Sequence, residues 1–207
     1  MTPVEMIAKV IDYIGNMTPI EIVVQIISIV GMLMGFLSYQ QKGKARILFF
    51  QLLGSAFFAV HFFMIDAYMG AILNLIAIIR ALIFIFEEKV RADHPAWTIG
   101  FILIYILSYV AIFTIPNEKI YAEPTVKNLI LEILPVIAMT VATIAFRYKE
   151  DKILRRVTFI SSPLWLIYNG INKSFGGIIG ETLNLSSAII GTIRLDRKKE
   201  ENKVEKK

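Results

Sequence analysis

The apolar positions of this chain come in long unbroken runs rather than in stripes. A helix crosses the hydrocarbon core of a bilayer with about 20 mostly apolar residues. Seven stretches have that character: about Ile20 to Tyr39, Ile47 to Ile65, Ala67 to Phe86, Trp97 to Ile115, Asn128 to Phe146, Val157 to Asn172 and Ser174 to Arg194. The third follows the second almost without a loop, and the sixth is short and carries Pro163. Breakers separate them: Lys42-Gly43-Lys44, Asp66, Asp93-His94-Pro95, Pro116-Asn117, Pro124 and Asn172-Lys173. The runs do not alternate as the strands of a membrane barrel do. They also lack the polar outer faces of a soluble bundle. The pattern predicts an all-α, polytopic membrane protein with seven transmembrane helices.

The two ends read differently. Val4, Ile7, Val10, Ile11 and Ile14 recur at helical spacing, with Glu5, Lys9 and Asp12 opposite them. Residues 1–18 are therefore expected to hold an amphipathic helix lying in the membrane interface. No basic n-region or A-x-A site marks the segment as a signal peptide. Residues 195–207 are almost all charged and predict a disordered basic tail.

Composition agrees with a bilayer setting. Of 207 residues, 56% are hydrophobic and 19% charged, and the mean hydropathy is +0.63. A soluble domain of this length has too little interior to hide so much apolar side chain. Cysteine is absent, which excludes disulfides, thiolate metal sites and cysteine nucleophiles. His61 and His94 are the two histidines, too few for a histidine-rich metal site.

The net charge of +5 is unevenly spread. With seven spans, one face holds the loops after the first, third and fifth stretches together with the tail. That face carries 17 Lys and Arg residues, and the opposite face carries 4. The positive-inside rule then puts the C-terminus in the cytoplasm and the N-terminus outside. Orientation explains the basic loops better than nucleic-acid binding does.

The chain also repeats itself. A shift of 107 residues lays the first three stretches on the last three, without gaps. Met32 then meets Met139, Lys42 meets Lys149, Ser55 meets Ser162, Gly70 meets Gly177 and Ala81 meets Ala188. His61 meets Tyr168, Gln25 meets Glu132 and Asn74 meets Glu181. Three helices directly repeated would invert the second copy, and a single linker helix restores its orientation. The expected organisation is a three-helix repeat over 20–88, a linker helix over 96–116 and a second repeat over 128–194, in a 3-1-3 order. The halves would be related by an axis along the membrane normal.

Several segments resemble a known family. They are Val60-His61-Phe62-Phe63, Ala67-Tyr68-Met69-Gly70-Ala71, Leu73-Asn74 and Ile78-Ile79-Arg80, then Leu134-Pro135-Val136-Ile137, Trp165 to Asn169, Ser174-Phe175-Gly176-Gly177, Glu181 and Ile193-Arg194. Together they resemble the bacterial inner-membrane YgjV family over about Gly31 to Arg194. The resemblance implies a bacterial inner (cytoplasmic) membrane location. The seven-helix repeat is also similar to the SWEET, or PQ-loop, sugar-transporter architecture. Tyr39-Gln40 and Phe146-Arg147 stand near where that family's Pro-Gln dipeptides would fall.

Ionisable side chains inside a bilayer are costly, so they face a partner or a cavity. Arg80 lies roughly 20 Å into the third stretch at 1.5 Å per residue. It either snorkels or pairs with an axial carboxylate. Glu181 and Asn74 lie about 10 Å below the outer surface and would face each other across the axis, with Glu181 the expected partner of Arg80. Trp165, Tyr168 and Asn169 form an aromatic platform with an amide, suited to a small polar solute or to a membrane-interface belt. The candidate substrate-binding residues are Asn74, Arg80, Trp165, Asn169 and Glu181. Glu181, Glu132 and His61 are candidates for a proton or coupling site. Glu132 also fits headgroup level, and His61 a hydrogen-bonded structural role.

The expected function is a carrier for an unidentified small polar solute, working by alternating access of two triple-helix bundles. The alternative is a non-transporting scaffold, sensor or lipid-binding protein with a static Arg80–Glu181 pair. No catalytic pair, metal-ligand set or nucleotide loop occurs at workable spacing. Neither an enzyme nor a cofactor is therefore expected. Expected partners are membrane lipids and the solute, with self-association left open.

Overall fold

In hydrocarbon, every backbone N–H and C=O must be bonded within the chain, and a helix does this inside one segment. The computed structural model describes residues 12, 15–39, 41, 44–115, 122–147 and 151–193. It is all-α, with no strand among those residues. The helices are α1 (Pro19–Tyr39), α2 (Lys44–Met64), α3 (Tyr68–Ile85), a short α4 (Glu87–Val90), α5 (Pro95–Thr114), α6 (Val126–Phe146), α7 (Asp151–Ile171) and α8 (Phe175–Gly191). Most of the interfacial segment expected over 1–18, and the whole tail 195–207, lie outside the described residues.

Starts are set by capping chemistry. Thr18 and Glu21 form a reciprocal box: the Thr18 N–H donates to the Glu21 carboxylate at 2.7 Å, and the Glu21 N–H donates to the Thr18 hydroxyl at 3.3 Å. The His94 ring accepts from the Ala96 N–H, and Pro95 stands in the first turn of α5. Thr125 caps α6 and Ser174 caps α8. Pro135 and Pro163 lie inside α6 and α7, which run on through them.

Among the described residues, five helices are long and apolar enough to cross a membrane: α1, α2, α3, α5 and α6. The helix α8 is apolar but shorter, and α7 carries Asp151, Lys152, Arg155 and Arg156 in its first turns. The outer surface is made of side chains that water would not tolerate in such density. Ile99, Leu103, Leu107 and Val110 all point outward from α5, and Leu107 is 65% exposed.

Each of α1, α2 and α3 packs on the next, and so do α6, α7 and α8. The helix α1 also packs on α8, and α3 on α6, which closes a ring in the order α1, α2, α3, α6, α7, α8. The helix α5 stands outside the ring against α3 and α6. One apolar core fills the α3–α5–α6 region around Leu73, Phe101, Tyr105 and Met139. A second lies inside the ring around Phe62, Leu131 and Tyr168.

The bounds of α6 and α7 lie 107 positions after those of α1 and α2, and α8 begins 107 positions after α3. The turns joining α2 to α3 and α7 to α8 are built alike. Asp66 and Lys173 both adopt left-handed backbone, at φ 57° and 55°. The Ala67 N–H donates to Phe62 O, and the Ser174 N–H to Asn169 O, each at 2.9 Å. These bonds close the C-termini of α2 and α7 in the manner of a Schellman turn. A left-handed lysine costs about 1 kcal/mol relative to glycine, so the tight reversal is held by its surroundings.

Candidate functional site

Polar side chains inside the bundle gather at two levels. The first lies at the tight-turn end of the ring, where α1 meets α8 and α3 meets α6. A helix N-terminus has unpaired N–H groups, and at this depth no water can be relied on to bond them. In α8 the chain itself does so. The Phe175 N–H donates to Gln25 Oε1, the Gly176 N–H to Ser28 Oγ and the Gly177 N–H to Ser174 Oγ. Gln25 Nε2 also donates to Lys173 O. The close approach requires Gly176, where a Cβ would run into the Ser28 backbone and hydroxyl.

His61 and Tyr168 occupy equivalent places in the two halves. The His61 ring bonds Val24 O through Nδ1 at 2.9 Å and Ser174 Oγ through Nε2 at 2.8 Å. The Tyr168 hydroxyl accepts from the Gly70 N–H at 3.0 Å and donates to Glu132 Oε2 at 3.3 Å. Each therefore ties the first helix of its own half to the N-terminus of the third helix of the other. Between them Phe62 stacks on Trp165 at 6.0 Å and meets Tyr168 edge-on at 5.8 Å. This aromatic plug fills the ring at the tight-turn end.

The second level surrounds Arg80, towards the other end of α3. Its side chain is buried. Nη1 donates to Thr143 Oγ1 at 2.7 Å, with longer contacts to Met139 O and the Tyr105 hydroxyl at 3.4 Å each. The guanidinium carbon lies 4.8 Å from the centre of the Phe146 ring. Nε has no hydrogen-bond partner. A narrow crevice of about 10 Å³ reaches the guanidinium, lined on α2 by Leu48, Gln51 and Ser55 and closed by Phe84 and Phe146. It admits about one water molecule.

The five expected substrate-binding residues are thus not gathered in one axial site. The Arg80–Glu181 pair expected from the sequence is not made. Glu181 hydrogen-bonds Ser162 and Asn184 instead, whereas the partners of Arg80 are neutral groups on α5 and α6. The reason is the ring order: α3 sits between α2 and α6, and α8 between α7 and α1, so the two charges face different seams. The Asn74 amide donates to Gly70 O on its own helix at 2.9 Å. Trp165 belongs to the plug. Asn169 is buried beneath Gly177, and its Oδ1 has no partner.

Sequence reasoning passed over Ser28, Tyr105 and Thr143, which complete the two polar levels. A lone hydroxyl in an apolar run carries no sign of whether it faces lipid, its own helix or a neighbour. For Ser28 the one available signal was its distance of a single turn from Gln25.

A bundle whose outer faces are apolar and whose polar side chains bond one another inside is an integral membrane protein. The chain belongs to the Imp-YgjV family of bacterial inner membrane proteins, whose family profile matches residues 22–199. No curated protein and no solved structure matches it.

Proposed function

We propose that this protein is a carrier for a small polar solute in the inner membrane, working by alternating access of two three-helix bundles. One bundle is α1–α3, the other α6–α8, and α5 is the linker in a seven-span, 3-1-3, SWEET-like arrangement. The N-terminus would be outside and the C-terminus cytoplasmic. The observation that carries this reading is the likeness of the two tight turns, which repeat a left-handed residue and the same closing hydrogen bond 107 positions apart. Two similarly built halves, meeting at the α1–α8 and α3–α6 seams, are what a rocking carrier needs.

The plug of Phe62, Trp165 and Tyr168 would be the closed gate of such a carrier, and the crevice at Arg80 its open side. The solute site then centres on Arg80, with Gln51 and Ser55 at its wall. Asn74, Trp165, Asn169 and Glu181 would join it only after the halves move. Glu132, Glu181 and His61 remain the candidates for coupling to an ion or proton, and no enzymatic step is invoked.

The test is uptake into reconstituted vesicles of sugars, vitamins, nucleosides, amino acids and small carboxylates, preselected by thermal shift on purified protein. Wild-type protein should accumulate one class, and Arg80→Ala should abolish uptake while the protein stays folded. Undiminished uptake by Arg80→Ala would remove this site. Absence of uptake for every solute that shifts the melting temperature would leave the static scaffold, sensor or lipid-binding reading.

A further inference from the structure

Arg80 is a fixed cation inside a membrane helix, and among the described residues no carboxylate neutralises it. Its neighbours are two hydroxyls, one backbone carbonyl and the face of Phe146. An arginine has five N–H donors. All three hydrogen bonds leave from Nη1. The Nε and Nη2 edge, where two N–H groups point in parallel, takes none of them, and Nε is buried without any partner. That edge is the one that grips a carboxylate or a phosphate with two parallel bonds. The residue is 8% exposed and lines the crevice, so the unpaired donors are not simply turned to bulk water.

Leaving such a charge unneutralised is expensive, because burial weakens its solvation and no opposite charge repays it. The path to it favours anions. At the same end of the bundle, among the described residues, Arg46, Lys89, Arg91, Arg147 and Arg156 stand against Glu87, Glu88 and Asp93. A net positive rim around a low-dielectric opening concentrates anions there. Gln51 and Ser55 offer hydrogen-bonding groups on the wall opposite α6.

We propose that the free edge of Arg80 binds a small oxyanion, a carboxylate or inorganic phosphate, entering between α2, α3 and α6 from the basic end of the bundle. The inference rests on the carrier reading for the fate of the ion and deepens it by naming the chemical class. Thr143, Tyr105 and Met139 hold the guanidinium from behind, so that the fork is aimed rather than free to swing. The crevice as it stands has room for about one water molecule, so even formate or phosphate reaches the fork only when the halves part, and a dicarboxylate or sugar phosphate needs a wider opening.

The experiment is equilibrium binding of radiolabelled formate and phosphate to the full chain in phosphatidylcholine nanodiscs. Wild-type protein should bind both saturably and in mutual competition. Arg80→Lys keeps the charge but loses the fork, and should bind about tenfold more weakly, since a bond to a charged group is worth that much. Arg80→Met should not bind at all. If Arg80→Met does not fold, the pair Gln51→Leu with Ser55→Ala leaves the Arg80 bonds to α5 and α6 in place and should still weaken binding severalfold. No saturable binding by wild type, or equal binding by these variants, overturns the proposal. A parallel arm adds phosphatidylglycerol. Competition by that lipid would support the same oxyanion chemistry with a headgroup phosphate as its source. Binding without transport of the bound ion would keep this site and refute the carrier. Uptake of a neutral solute without oxyanion binding would do the reverse.

Discussion

The imidazole of His61 and the hydroxyl of Ser174 lie 2.8 Å apart although 113 positions separate them in the chain. Their roles are fixed by their other partners. Val24 O can only accept, so Nδ1 of the neutral ring carries the proton and Nε2 is left as an acceptor. Ser174 therefore donates its hydroxyl proton to Nε2 while accepting from the Gly177 N–H. One serine thus caps α8 and ties it to α2, and through His61 to α1.

That arrangement makes Ser174 and His61 energetically coupled. Ser174→Ala should destabilise the protein by about 1 kcal/mol, the usual worth of an N-cap and of a hydrogen bond between membrane helices. His61→Phe should cost at least as much, because Val24 O and Ser174 both lose a partner. Reversible unfolding in bicelles checks this. The double variant should cost clearly less than the sum of the singles, and simple additivity would contradict the shared network.

Glycines at the α1–α8 seam and elsewhere should behave oppositely. A Cβ at Gly176 would strike the backbone of Ser28, which cannot swing aside, whereas one at Gly35 or Gly100 meets nothing within 4 Å. Gly176→Ala should cost about 3 kcal/mol or prevent folding, as overpacking does. Gly35→Ala and Gly100→Ala should be neutral or slightly stabilising through helix propensity. Melting temperatures of the three purified variants decide the matter.

Much of this architecture was legible in the chain because lipid leaves the backbone few options. Continuous apolar runs placed six of the helices to within three residues, whereas α7 starts at Asp151, six residues before the expected Val157, because its first turns are charged; Asp66 and Asn172-Lys173 marked both tight turns. The 107-residue offset was visible as Gly70 with Gly177 and His61 with Tyr168. What the pattern could not supply was the order of helices around the ring. Polar residues were paired by depth alone, and depth put Glu181 opposite Asn74 and within reach of Arg80. The seam positions send Arg80 and Glu181 to different partners. The partners that Arg80 does use, Thr143 and Tyr105, look like any hydroxyl in an apolar run. The crevice beside Arg80 depends on which side chains are absent from a space, which no linear pattern records.

Orientation is open to direct measurement. The basic residues concentrate on the loops after α1, α4 and α6 and on the tail, which predicts a cytoplasmic C-terminus. A fluorescent reporter that matures only in the cytoplasm should light when fused after residue 207. A phosphatase active only outside should work when fused after Glu123, between α5 and α6. The opposite pair of signals would reverse the sidedness of the gate and of the crevice.

The proposal of two moving halves stands or falls on a cross-link at their seam. The chain has no cysteine, and a Cβ built on Gly180 lies 3.5 Å from the Cβ of Met32, within the span of a disulfide. Met32→Cys with Gly180→Cys should therefore cross-link α1 to α8 on oxidation. Uptake into vesicles by that double variant is the measurement. Carriage by rocking bundles predicts activity when reduced, loss when oxidised and recovery after reductant. Equal uptake in the cross-linked and reduced states would contradict it.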